Sequence, residues 1–122
     1  MRFFVCGHCG NLVEMVKDKG VPMMCCGQKM TELVAGTVEA AAEKHIPSYA
    51  VEGNVVKVNV GSVDHPMVAE HYIEWVVVET LKGVYRVNLK PEEKPYAEVV
   101  LNAGDEVVAV YAYCNLHGLW KA

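Results

Sequence analysis

Four cysteines fall within the first 26 residues, and they limit what the chain can fold into more than any other feature. They read Cys6-Gly7-His8-Cys9-Gly10 and, after a gap, Cys25-Cys26-Gly27. A segment of about 35 residues buries too little apolar surface to fold unaided, so it needs a staple. A Cys-x-x-Cys-Gly knuckle supplies one when its thiolates close on a metal. Glycine after the second cysteine takes a positive φ and lets backbone N–H groups face the sulfurs. Adjacent residues on a regular strand point to opposite faces, so Cys25 and Cys26 can share one metal only where the backbone bends. Four thiolates suit zinc or a single iron, and spacing leaves that choice open. The vicinal pair, unusual for a zinc ribbon, leans the reading towards iron. A redox thiol pair is the plainer alternative, and the tight clustering argues against it. His8 reads as a solvated loop residue, and the Met23-Met24 pair as packing against this site.

Strands are expected at residues 2–5, 12–16 and 28–33, with a turn at 18–20. Residues 1–35 then form a small metal-binding domain, and residues 36–122 a second one. Residues 35–44 make a connector with one helical turn at most. Beyond it the pattern is β, with valine dominant: strands at 49–51, 55–60, 71–80, 84–89, 96–101 and a final one at 106–113. Six strands with regular turn signals predict an antiparallel β-sandwich of the immunoglobulin type, so the fold class is mainly β. Residues 71, 73, 75 and 77 would share its buried face, with His71 at the rim. Trp75 and Trp120 read as packing residues.

Formal net charge is −4, which argues against a nucleic-acid partner. Residues 1–35 carry four basic and three acidic groups, and the remainder seven and twelve. An anionic substrate of the acidic second part would therefore need a local cation. The apolar runs at 75–78 and 107–114 are far shorter than the ~20 residues a spanning helix needs. The first residues lack the long apolar stretch of a secretory signal, which predicts a cytoplasmic protein without membrane contact.

A second constellation lies in the β region. Cys114-Asn115-Leu116-His117-Gly118 follows a strand, and His45, His65 and His71 sit upstream at strand ends or loops. Each histidine alone is more often a surface or satisfied core residue than a ligand. Four of them with one cysteine in a single β domain make a stronger case. Thiolate and imidazole together favour iron, copper or zinc. A cupredoxin-like electron carrier is the rival reading, because that class also uses a β-sandwich with a C-terminal Cys-x-x-His and an axial Met. Here no methionine follows Met67, and there are more histidines than that site uses. A zinc-stapled binding module with incidental histidines is a third reading.

The motifs together match a known family. The Cys6-x-x-Cys9-Gly10 and Cys25-Cys26 unit resembles desulforedoxin. Glu43-Lys44-His45-x-Pro47, His65-Pro66, His71-Tyr72-x-Glu74-Trp75 and Cys114-Asn115-x-His117-Gly118 resemble superoxide reductase. Jointly they resemble the desulfoferrodoxins, two-iron superoxide reductases, across essentially the whole chain. The resemblance implies a desulforedoxin-like domain joined to a neelaredoxin-like catalytic sandwich, usually as a homodimer. It implies one iron on Cys6, Cys9, Cys25 and Cys26. It implies a catalytic iron with His45, His65, His71 and His117 in a plane, Cys114 as axial thiolate and one open position opposite. Lys44 would then be the local cation for superoxide, and Glu43 a mobile carboxylate for the open position of oxidised iron. Each turnover consumes an electron, so the resemblance also implies an external donor such as a rubredoxin-like protein.

Overall fold

The computed structural model describes residues 1–122, which cluster into two compact units, Met1–Val34 and Ala35–Ala122. In the first, β1 (Phe3–Val5) lies between β2 (Leu12–Glu14) and β5 (Thr31–Leu33), all antiparallel. A separate two-stranded ribbon joins β3 (Met24–Cys25) to β4 (Gln28–Lys29). The core cluster of this unit is small, Phe4, Cys6 and Met30 flanked by Val13, Met15 and Cys25, and Phe3 is buried besides. The single strand expected at 28–33 is therefore two. Met30 turns into the core and its N–H bonds the Met23 carbonyl at 2.8 Å, so the residues on either side pair with different strands.

The second unit opens with α1 (Ala42–His45), the one helical turn of the connector. Seven strands follow: β6 (Pro47–Glu52), β7 (Val55–Val60), β8 (Ile73–Thr80), β9 (Val84–Asn88), β10 (Tyr96–Val100), β11 (Val107–Cys114) and β12 (Gly118–Lys121). They form two antiparallel sheets in the orders β10-β7-β6 and β12-β11-β8-β9. One core joins them: Val56, Val58 and Val60 of β7 and Ala97 and Val99 of β10 meet Ile73, Val76 and Val78 of β8 and Val110, Ala112 and Cys114 of β11. The alternation on β7 is the period-two pattern of a strand with one buried face.

Three expectations change here. The face 71, 73, 75, 77 is not continuous, because the β8–β11 register shifts between Tyr113↔Trp75 and Cys114↔Ile73. The extra residue on β8 flips the parity, so Ile73 shares the core with Val76 and Val78 instead of with Trp75. Trp75, half-buried, stacks on Tyr113 at 5.3 Å. Next, β8 begins at Ile73, and His71 lies outside it in a tight bridge with Val68. Finally, β11 is not the last strand. The chain turns through residues 115–117, takes φ +75° at Gly118 and returns as β12, which buries Leu119 and Trp120.

Candidate metal centres

In the first unit the Cys6, Cys9, Cys25 and Cys26 sulfurs all lie within 4.8 Å of one another. The bend that the vicinal pair requires is a two-residue hairpin turn: Cys26 has φ +52° and Gly27 φ +73°, the combination of a type I′ turn. Cys9 Sγ is 3.6 Å from Cys25 Sγ, which is 3.9 Å from Cys26 Sγ. A tetrahedral metal with ~2.3 Å bonds to sulfur needs edges of roughly 3.8 Å, so the donor set fits such an ion. The N–H groups of His8 and Cys9 donate to Cys6 Sγ at 3.4 Å, and that of Asn11 donates to Cys9 Sγ at 3.4 Å. Donation from the Cys9 and His8 amides brings the Cys6 thiol down to about 6. Hydrogen bonding among the crowded sulfurs, with Cys9 foremost, raises Cys25 and pushes Cys26 up to about 12. Such a set sheds all its protons only against a bound cation. The ring of His8 is exposed, and Met24 is 58% exposed. The methionine that fills this core is Met30, not the Met23-Met24 pair.

In the second unit, His45 arrives on the end of α1, His65 and His71 on the loop before β8, Cys114 at the end of β11, and His117 in the turn to β12. The four imidazoles form a square. Around it, His45–His65, His65–His71, His71–His117 and His117–His45 have ring centroids 4.6, 4.6, 5.0 and 4.9 Å apart, each pair nearly perpendicular. His45 and His71 face each other across it at 6.3 Å. Cys114 Sγ, fully buried, lies 3.9 Å from His117 Nδ1.

Two features require an occupant for this square. His45 Nδ1 donates to Ala41 O and His65 Nδ1 to Pro66 O, both at 2.7 Å, since a carbonyl only accepts. In the neutral rings that commits each Nε2 to a lone pair, yet the two Nε2 atoms lie 3.1 Å apart. Lone pairs facing each other at that distance repel unless a cation sits among them. His71 Nε2 is buried with no hydrogen-bond partner at all. Leaving it so would cost about 1–3 kcal/mol, which coordination removes. Burial holds the His65 ring down to about 4 and depresses His45 and His71 as well, so these imidazoles stay neutral and able to ligate. Burial raises the Cys114 thiol, while the N–H groups of Leu116 and His117 act in the opposite direction on its sulfur.

Glu43 and Lys44 are exposed on α1, directly before His45. The Lys44 charge reaches both His45 and His71, depressing each. The backbone beneath them is clamped: Glu43 O accepts from Val63 N at 3.0 Å and from Ser62 Oγ at 3.3 Å, and Ile46 O accepts from Gly61 N at 3.1 Å. Two further residues frame the square, and the sequence motifs gave them no role there. Trp120 lies over His45 at 4.9 Å and donates its indole N–H to His117 O at 3.0 Å. The Asn115 side chain bonds both sides of His71.

The family model described as Desulfoferrodoxin matches residues 37–122. The desulfoferrodoxin of Nitratidesulfovibrio vulgaris is 45% identical over 121 residues, covering 99% of this chain and 94% of that one. A desulfoferrodoxin homolog of Archaeoglobus fulgidus is 43% identical over all 122 residues and 96% of its own length. Among solved structures, the superoxide reductase from Treponema pallidum superposes with a TM-score of 0.83 at 42% identity, covering 98% of this chain and 96% of the other.

Proposed function

The chain belongs to the desulfoferrodoxin family, and from that premise we propose that it is a superoxide reductase, converting superoxide, one electron and two protons into hydrogen peroxide. Its cofactors are two irons per chain. Cys6, Cys9, Cys25 and Cys26 would hold the first. His45, His65, His71 and His117, with Cys114, would hold the second, which supplies the one-electron chemistry when bound. The observation that carries this reading is the set of ring nitrogens converging in the second unit beside a buried thiol, with the Nε2 lone pairs of His45 and His65 turned towards each other. Four imidazoles and a thiolate in one small space match neither a closed zinc staple nor the donor set of a blue-copper carrier.

The residues around that square divide the remaining work. The neutral rings of His45 and His65 are fastened from behind by carbonyls, so they bind without first surrendering a proton. The amides of Leu116 and His117 moderate the charge on Cys114 Sγ and with it the electron density the thiolate can lend. Lys44 offers an ammonium in an otherwise acidic unit. It draws in the superoxide anion and holds a proton at Nζ that a water can carry to the reduced oxygen. Glu43, one residue earlier, would offer its carboxylate to the second iron in the resting protein. By domain we assign residues 1–35 to a desulforedoxin-like module and 36–122 to the catalytic sandwich. A rubredoxin-like donor, a homodimer and a cytoplasmic setting complete the reading. No helix is long and apolar enough to cross a membrane.

The test is stoichiometric. Protein reduced beforehand and mixed with superoxide should give one peroxide for each superoxide consumed and release no dioxygen. A dismutase would give half that peroxide with matching dioxygen, and an electron carrier would give copper on metal analysis and no peroxide. Replacing Lys44 with Gln should lower the bimolecular rate with superoxide roughly tenfold at low salt and flatten its dependence on ionic strength. An unchanged salt slope removes Lys44 from steering.

A further inference from the structure

The four rings of the square are not held alike. His45 and His65 are each fixed by a carbonyl on Nδ1. His117 is fixed through its own carbonyl, which accepts from the Trp120 indole. His71 is held differently: its Nε2 is without a partner, and its own carbonyl accepts only from Val68 N, at 3.0 Å within the same turn. What brackets it is one side chain. Asn115 Oδ1 accepts from Tyr72 N at 3.0 Å, and Asn115 Nδ2 donates to Glu70 O at 3.0 Å, so the amide grips the residues on both sides of His71. The Asn115 backbone N–H also donates to Tyr72 O at 3.2 Å. A backbone N–H can only donate and a carbonyl only accept, so the amide has one possible orientation.

The β8–β11 ladder ends at Cys114↔Ile73, and Asn115 adds one more rung to it, with its side chain standing in for a strand partner. We propose that Asn115 is a positioning residue for the catalytic iron, setting where His71 stands relative to Cys114 and His117. The inference rests on the reading that His71 is a ligand of that iron. His71 and Cys114 belong to segments forty-three residues apart, and this amide ties one to the other beside the metal. The Val68 bridge closes the His71 turn only upon itself, so it cannot set that distance. Asn115 Oδ1 is also 4.0 Å from Cys114 Sγ, which places the clip against the thiolate as well.

The test uses the full two-iron protein and four variants: Asn115→Ala, Asn115→Asp, His71→Ala and the Asn115→Ala/His71→Ala pair. Asn115→Asp preserves size and the Oδ1 acceptor, but sets a carboxylate oxygen against Glu70 O. Release of the second iron to EDTA is followed by loss of its visible band, with the first site's absorbance as an internal control of folding. Both single Asn115 variants should release that iron about 10–100-fold faster, the scale typical of losing a partner behind the ligands. They should also move the band and the reduction potential of the second site while leaving the first unaltered. In the His71→Ala background, Asn115→Ala should add less than about twofold, because the residue through which it acts is gone. The inference is overturned if both Asn115 variants keep the wild-type release rate and band position. It is overturned equally if the effect of Asn115→Ala is as large without His71 as with it. Release of the second iron from His71→Ala at the wild-type rate would instead overturn the ligand reading beneath it.

Discussion

Replacing Cys114 with Ala is expected to abolish peroxide formation from superoxide and to erase the visible band of the second site, while the band of the first remains. Cys114 is fully buried among Ile73, Val110 and Ala112, so solvent has no ready access to the place of its sulfur. Its thiol is raised by burial and drawn back by the amides of Leu116 and His117, an arrangement suited to a sulfur that ionises on metal binding. The loss should exceed the ~10–100-fold that removing an outer partner costs, because a ligand itself is gone. The methyl group should cost little stability in that core, since alanine already fills the neighbouring position 112. Catalysis surviving in Cys114→Ala, with both irons retained, would remove the thiolate from the reaction. Cys114→Ser gives a second reading of the same point, because a hydroxyl keeps the size and loses the sulfur.

Gly61→Ala should do more to the second unit than any other single methyl. A Cβ at position 61 would lie 2.3 Å from Val63 O and 2.8 Å from both Glu43 O and Lys44 O. All three obstacles are backbone, and one of them, Glu43 O, is the acceptor that holds α1 against the loop, so none can swing aside as a side chain would. The φ of +87° adds strain that alanine tolerates poorly. Clash and strain together should cost about 3 kcal/mol or more. The melting temperature of the catalytic unit should then fall by more than about 10 °C. Relief comes only by lifting Glu43-Lys44-His45 off the loop, so the second iron should be lost or loosened while the first is kept. Full occupancy of the second site with a melting temperature within about 2 °C of wild type would show that the clamp is not what positions this segment.

The two ligand constellations were readable in the sequence because metal ligands are chemically distinctive residues at spacings that few other roles produce. The strands of the sandwich were readable because β7 and β10 keep strict alternation. What could not be read is what depends on partners distant in the chain. The parity switch on β8 is set by a register shift against β11, so no local pattern records it. The 28–33 segment looks like one strand because its two halves differ only in which neighbour they meet. β12 is only four residues long and opens on a glycine with positive φ, too short to stand out, although it brings Trp120 over His45. Asn115 sits within a recognised motif, yet its bonds reach back to residues 70 and 72. Gly61 looks like any loop glycine until the carbonyls of α1 are set beside it.

The carbonyls of Ala41 and Pro66, which hold His45 and His65 from behind, also bear on how fast charge can move. One-electron transfer is slowed by whatever must shift when the charge at a centre changes. Two opposing needs meet in this protein: the centre must take electrons from a donor and give them to a small anion, cycling between two charges each time. Rings locked in place by their own main chain have little distance to travel between those charges, so the reorganisation energy should be low in both directions. The same two hydrogen bonds that fix a tautomer thereby limit the movement that each change of charge requires.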